Sequence, residues 1–149
     1  MIDDTDKKIL LCLQENCKMT IKQISQKTHL SPTPVYERIK KLENEGIIQG
    51  YTIKVDRNKL GLGMVVFCQI SLEVHHKDVI ELFEKQILLF EEVVACYHLA
   101  GIMDYLLHVM VKDMDAYQAF LKNKLASMDN IRKVQSSFIL TEVKPMSHH

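Results

Sequence analysis

The chain has no apolar run long enough to cross a bilayer, and no basic, apolar and small-residue succession of the kind that marks a secretory signal. Those absences point to a cytoplasmic protein. Cysteine is sparse: Cys12, Cys17, Cys68 and Cys96 show neither metal nor disulfide spacing, which fits a reducing setting, and three of them lie in apolar segments as small core residues. A glycine-rich phosphate loop, a metal-ligand cluster and a Ser–His or Cys–His pairing are all missing. The adjacent Glu91-Glu92 falls on a surface turn and makes no catalytic pair. An enzyme, a metal and a cofactor are therefore not expected. Net charge is also missing, with 19 basic and 19 acidic residues, so any affinity for a polyanion must come from how charge is distributed. At 149 residues, the chain holds one domain or two small ones.

Proline is scarce as well, and two of its three occurrences, Pro32 and Pro34, sit at the most informative point of the chain. Thr20 reads as an N-cap, with Gln23 three residues on to complete a capping box. Ile21 and Ile24 give that first helix an apolar side, and Leu30 follows in the turn. Ser31 then reads as the N-cap of a second helix, with Pro32 at N1 and Pro34 at N3, where a missing N–H is tolerated. Val35, Ile39 and Leu42 form its core stripe, and Gly46 stops it. The opposite face shows Thr33, Tyr36, Glu37, Lys40 and Lys41, with Arg38 at the flank. An upstream helix starts at Asp3, with Asp6 near the positive end of the dipole and Ile9, Leu10 and Leu13 as its buried stripe. Three helices with a short turn before a polar, basic helix predict a helix-turn-helix reader of double-stranded DNA. The residues assigned to DNA are Lys22, Ser31, Thr33, Pro34, Tyr36, Glu37, Arg38, Lys40 and Lys41. Charge agrees: residues 1–60 carry eleven Lys/Arg against eight Asp/Glu, and residues 61–149 carry eight against eleven.

Beyond Gly46, the pattern changes to β. Ile47 to Val55 is β-rich, and residues 56–63 read as a turn and hinge, so residues 51–63 are expected to form a strand and linker. Next come a strand (64–74), a helix (77–90), a strand (93–100), a strand (105–111), a helix capped by Asp113 or Asp115 and running to about Met128, and a last strand (131–143). This β-α-β-β-α-β order predicts a ferredoxin-like unit over 64–149, behind a helix-turn-helix domain over 1–50; the fold class is α+β. Both helices cover one sheet face. The first strand is apolar on both sides, with Met64, Val66, Cys68, Ile70 and Leu72 alternating with Val65 and Phe67, which predicts a partner chain on the other face. The closing Ser147-His148-His149 is assigned no role.

Five stretches carry a family resemblance: Asp3-x-x-Asp6-x-x-Ile9-Leu10; Leu30-Ser31-Pro32-Thr33-Pro34-Val35-x-x-Arg38-Ile39; Leu42-Glu43-x-x-Gly46-Ile47-Ile48-x-Gly50-Tyr51; Gly101-x-x-Asp104-Tyr105; and Thr141-Glu142-Val143-Lys144. In this order and at these distances the chain resembles the leucine-responsive and asparagine-responsive (Lrp/AsnC, or feast/famine) regulators of bacteria and archaea. The resemblance implies a winged-type helix-turn-helix and an amino-acid-sensing domain. It further implies a homodimer formed through the sheets, commonly assembled into octamers, with DNA wrapped or bent across several dimers. It implies an effector cleft between dimers, lined here by His98, Ala100, Gly101, Ile102, Met103 and Asp104 and by Ser136, Ser137 and Phe138.

The chemistry of such a cleft can be read from these residues. Backbone N–H groups near Gly101 suit a carboxylate, Asp104 suits an ammonium, and Ile102, Met103 and Phe138 make an apolar side-chain pocket. Many members of the family carry an acidic residue where this chain has Ile102, so a free amino acid resembling leucine or methionine is expected over a polar one. A competing view gives Asp104 to the hairpin turn and Gly101 to a positive φ. A second alternative has His98 facing His108 across the hairpin, but two ligands do not make a zinc site. A third is an architectural protein that coats DNA with little sequence preference and no effector.

Overall fold

The structure, a computed structural model, describes residues 2–144. They fall into two compact units that meet at residues 55 and 56. The chain tail Ser147-His148-His149 lies outside the described residues.

The first unit is three helices: α1 (Asp4–Glu15), α2 (Ile21–Thr28) and α3 (Pro32–Asn44). Each starts where local chemistry dictates. Asp3 caps α1, with its side chain accepting from Asp6 N–H and its own N–H donating to the Asp6 carboxylate. Thr20 and Gln23 form the same reciprocal pair at α2. Ser31 is the N-cap of α3 in extended conformation, yet its side chain makes no capping bond. Part of the reason lies in the sequence: of the two N–H groups an N-cap oxygen can accept from, N3 here is Pro34, which has none, and only that of Thr33 at N2 remains. The α2–α3 turn is closed instead by His29 in the left-handed conformation (φ 58°) and by the Ser25 hydroxyl donating to the Leu30 carbonyl. Gly46 (φ 68°) ends α3 in a Schellman motif, with Gly46 N–H donating to Glu43 O at 3.0 Å and Ile47 N–H to Leu42 O at 2.9 Å. Ile9, Cys12, Ile24, Val35 and Ile39 form one buried cluster.

The second unit contains β1 (Met64–Leu72), α4 (Lys77–Ile87), β2 (Val93–His98), β3 (Tyr105–Val111), α5 (Met114–Asn123), a single 3-10 turn (Leu125–Ser127) and β4 (Ile131–Phe138). The sheet is antiparallel in the order β2-β3-β1-β4, the ferredoxin-like arrangement. Val66, Cys68, Ile70, Leu72, Tyr105, Leu107, Val109 and Val111 bury one face against α4 and α5, which contribute Phe83, Ile87, Tyr117 and Phe120. Asp113, not Asp115, caps α5.

Several expected boundaries move. Ile47–Val55 forms no strand, because nothing in the described residues pairs with it. The first strand stops at Leu72, the first helix at Ile87 and the second strand at His98. The second helix breaks at Asn123. The last strand stops at Phe138 rather than Val143, since its neighbour β1 begins at Met64 and offers nothing beyond the pair Val66–Phe138 and the Ile139 N–H to Val65 O bond.

Within the second unit, α4 and α5 both lie on one face of the sheet and leave the other to a different set of side chains. By register this other face carries Ala95 and Tyr97 from β2, Leu106, His108 and Met110 from β3, Val65, Phe67, Gln69 and Ser71 from β1, and Lys133, Gln135 and Ser137 from β4. It is apolar toward the start of β1 and polar toward its end. His108 lies against Phe67 (ring centroids 5.1 Å apart), and its buried Nε2 has no hydrogen-bond partner. Burial, and secondarily Arg57, pushes the His108 pKa down. Arg57 itself pairs with Glu142 at 2.6 Å.

Candidate functional site

The outer side of α3 is built by the inner one. Val35, Ile39 and Leu42 are buried, which turns Thr33, Tyr36, Glu37, Lys40 and Lys41 to the exposed side. Tyr36 is 52% exposed, and the Lys40 ammonium stands 6.0 Å from its ring centroid. Lys40 also pairs with Glu43 at 2.7 Å, and Glu43 accepts from the Tyr51 hydroxyl at 2.8 Å. Burial and the Glu43 hydrogen bond push the Tyr51 pKa up to about 12, so this phenol stays a donor at neutral pH. Lys41 is a looser partner of Glu45 at 3.9 Å. Lys22 is exposed in the first turn of α2, Ser31 is exposed, and Pro34 is half-buried.

Arg38 has different work. Its guanidinium donates to Asp3 at 2.6 Å and to Asp6 at 2.7 Å, and the Asp6 residue is only 2% exposed. The bond to Asp6, then that to Asp3, raises the Arg38 pKa. Arg38 therefore braces α3 against the start of α1, and its charge is largely answered within the unit. Both ends of this brace, an acidic helix start and a flanking arginine, are visible in the sequence; their meeting across more than thirty residues is a tertiary contact.

The expected effector residues lie in two places. His98 closes β2, and the hairpin that follows carries Ala100, Gly101, Ile102, Met103 and Asp104. Register pairs His98 with Tyr105 and Ala95 with His108, so the hairpin centres on Gly101-Ile102 and the two histidines do not face each other. His98 instead stacks on Tyr105 at 4.6 Å, and the Tyr105 hydroxyl donates to Glu84 at 2.7 Å. Among the described residues no His, Cys, Asp and Glu cluster could hold a metal. Gly101 does not need a positive φ, and a Cβ there would meet open space. Ile102 is 97% exposed. Asp104 is turned inward: its Oδ2 accepts from Leu72 N–H at 2.6 Å, and its Oδ1 meets His75 Nε2 at 2.8 Å. Burial works to raise its pKa, but the Leu72 N–H and His75 more than offset this and hold the carboxyl below its ordinary range. Each oxygen thus has one internal partner, and each keeps a further lone pair.

Ser136, Ser137 and Phe138 lie elsewhere. Ser136 and Phe138 point to the helix side, where Tyr117 meets the Ser136 hydroxyl at 2.6 Å and the Phe138 ring edge-on at 5.3 Å. Ser137 pairs with Phe67 in register and points to the other face. Phe138 lies four residues along β4 from Val134, the residue level with the hairpin, roughly 13 Å at about 3.3 Å per residue. It is also two strands from β3, roughly 10 Å more across the sheet. One chain therefore does not bring the hairpin and Ser136–Phe138 together. Two surface concavities, one of about 290 Å³ lined by Asn16, Met19, Gln23, Gln26 and Lys27 and one of about 380 Å³ lined by Asp78, Val79, Glu81, Leu82 and Lys85, include none of these residues.

Known proteins share this arrangement. Residues 2–49 match the family described as winged helix-turn-helix DNA-binding, and residues 65–148 match the Lrp/AsnC ligand binding domain. The chain is 38% identical to the Bkd operon transcriptional regulator of Pseudomonas aeruginosa, over 95% of this chain and 93% of that one. It is 34% identical to the leucine-responsive regulatory protein of Escherichia coli K12, over 96% and 87%. A transcriptional regulator of Neisseria meningitidis, solved as its L-Met complex, superposes with a TM-score of 0.94 at 36% identity, covering 99% of this chain and 95% of that one.

Proposed function

We propose, from the premise that this chain belongs to the Lrp/AsnC family of DNA-binding transcription regulators, that it adjusts its grip on DNA to the level of a free amino acid with an apolar side chain. The observation that carries this reading is the pairing of an anchored α3, showing Thr33, Tyr36, Lys40 and Lys41, with a separate sensing unit whose hairpin exposes Ile102. Phosphates would be met by Lys40, Lys41 and Lys22, and base edges by Thr33, Tyr36 and Glu37. Arg38 would act at one remove, by holding α3 in place.

The sensing site is proposed to lie between chains. The distance within one chain between the hairpin and Ser136–Phe138 supports this, because a site that uses both needs a second copy. The uncovered sheet face supports a homodimer, and further contacts between dimers would give the octamer. The effector carboxylate would be held by hairpin N–H groups around Gly101 and the ammonium by hairpin carbonyls, with Ile102, Met103 and Phe138 around the side chain. A methionine- or leucine-like ligand fits this lining, and the structural neighbour from Neisseria meningitidis is a complex with L-Met. On this reading the protein works in the cytoplasm, where free amino acids and DNA are both present.

The test is a thermal-shift screen of the twenty amino acids, then DNA titrations with each hit. The expected outcome is a rise in melting temperature with methionine or leucine and a change in affinity for one DNA site relative to random DNA. Stabilisation by a basic amino acid alone would overturn the apolar assignment. Equal affinity for all DNA, with no amino-acid effect, would favour the DNA-coating alternative.

A further inference from the structure

The outer side of α4 carries apolar surface that the second unit does not use. Phe83 and Ile87 are buried and Ile80 packs beside them, so the opposite side of the helix faces outward. Leu82 stands at the centre of that side and is 57% exposed. Leu88 and Leu89, just past the helix end, are 83% and 78% exposed, and Leu89 continues the line of Leu82 two turns on. Three open leucines this close together form a patch, unlike apolar residues scattered singly. Beside Leu82 lies the concavity of about 380 Å³ lined by Asp78, Val79, Glu81, Leu82 and Lys85. Asp78, Glu81, Leu82 and Lys85 have the i, i+3, i+4, i+7 spacing of four residues that form a hole for a side chain of a facing helix.

The charges on this side are ordered. Asp78 lies in the first turn of α4 and Lys85 in the last. They share one flank of the Leu82 line, yet stand roughly 10 Å apart along the axis, too far to pair with each other. Lys77 answers Glu81 at 3.7 Å and Glu84 accepts from the Tyr105 hydroxyl, whereas Asp78 and Lys85 have no ion-pair partner among the described residues. A second α4 laid antiparallel across Leu82, about a two-fold axis, brings Asp78 of each copy level with Lys85 of the other. The same operation sets Leu82 against Leu82 and Val79 beside Gln86. A parallel pairing would set each charge against its own kind. The helix dipole accounts for an acid at the start and a base at the end. It does not account for a line of leucines left in water.

We propose that the outer side of α4 is a self-complementary contact, and that its partner is the α4 of a second copy of this chain, packed antiparallel. Leu82 of each copy fills the hole beside Leu82 of the other, and two Asp78–Lys85 pairs flank it. This surface is distinct from the sheet face read above as the dimer contact. Two isologous faces on one chain join copies into assemblies larger than a dimer. The α4 contact rests on the homodimer reading only for the size of the assembly, and not at all on the effector.

The experiment is sedimentation velocity of the full chain from about 1 to about 100 μM, a range in which assembly follows protomer concentration. The chains are wild type, Leu82→Gln, Asp78→Lys, Lys85→Asp, the double reversal Asp78→Lys with Lys85→Asp, and Phe67→Asp. Leu82, Asp78 and Lys85 are exposed within the chain, so these variants should keep the wild-type circular dichroism. Leu82→Gln should raise the dissociation constant of one assembly step roughly tenfold or more, because each contact buries two leucines. Either single reversal should raise it roughly fivefold, since two exposed pairs become like-charged at each contact. The double reversal restores opposite charges across the two-fold and should return to within about twofold of wild type. Phe67→Asp reports the sheet face separately, so failure at one face is not mistaken for failure at the other. A wild type that stays monomeric, or a double reversal no better than the single ones, overturns the proposal. So does a Leu82→Gln chain that assembles as wild type does at every step, which would leave the leucines to a foreign apolar helix.

Discussion

The two units solve the burial problem differently. The DNA-reading unit closes its core with one chain: three helices meet around Ile9, Ile24, Val35 and Ile39, and each end carries a cap, a proline or a left-handed stop. The second unit has the larger core, but its own two helices close only one face of its sheet, and Val65, Phe67, Leu106 and Met110 lie on the other. A small helical unit can be complete and still offer one polar surface to a groove. A sheet covered on one side leaves an apolar face for a second copy. On the proposed reading, recognition and assembly are divided between the units, each by how much apolar surface its elements leave over.

The sharpest way to break this comparison uses two adjacent residues. Val66 and Phe67 point to opposite faces of β1. Val66→Asp puts a carboxylate into the helix-covered core and should cost at least about 3 kcal/mol, enough to lose cooperative melting of the sensing unit. Phe67→Asp should keep the fold by circular dichroism and weaken self-association about 100-fold or more in sedimentation equilibrium. Undiminished assembly of Phe67→Asp would move the interface off this face.

A smaller effect is expected on the other unit. Lys40→Ala with Lys41→Ala should weaken binding to all DNA sequences alike and lower the salt slope by about one unit per lost phosphate contact, with the amino-acid response kept. An unchanged slope would remove these lysines from the interface and leave α3 without its assigned phosphate contacts.

The smallest effect concerns His108, on the face turned away from α4 and α5. Its folded pKa is depressed, first by burial and then by Arg57. The folded unit therefore holds fewer protons here than the unfolded chain. Its stabilising contribution is full above the ordinary histidine range and is lost as pH falls through that range toward the folded pKa. The wild-type melting temperature should accordingly drop between roughly pH 7 and pH 5. His108→Phe should flatten part of that drop, measured by melting curves across pH, because phenylalanine neither titrates nor leaves an unpaired nitrogen.

Much of this fold is legible in the sequence. Capping boxes, helical stripes and the β-α-β-β-α-β order are local patterns of three to four residues or of alternation, and they set where Asp3, Thr20 and Gly46 act, while the choice between Asp113 and Asp115 waited on the structure. Element ends were read less well where partners decide them: β4 stops at Phe138 because β1 starts at Met64, and Ile47–Val55 forms no strand without a pairing edge. Ser31 shows the same limit in reverse, a good cap whose usual donor is missing because of a proline already visible in the sequence.

What the sequence determined by itself is the order of the main helices and strands, their facing and the family, since each depends on short-range chemistry repeated along the chain. Only tertiary structure decided the roles of the charged side chains. Arg38, assigned to DNA, is held by Asp3 and Asp6; Asp104, assigned to a ligand, is held by Leu72 and His75; His98 and His108 are parted by a register that the hairpin length alone left open. The physical reason is the same in each case. A hydrogen bond or ion pair is settled within about 3 Å in space, and residues far apart in sequence come that close only when the backbone brings them there.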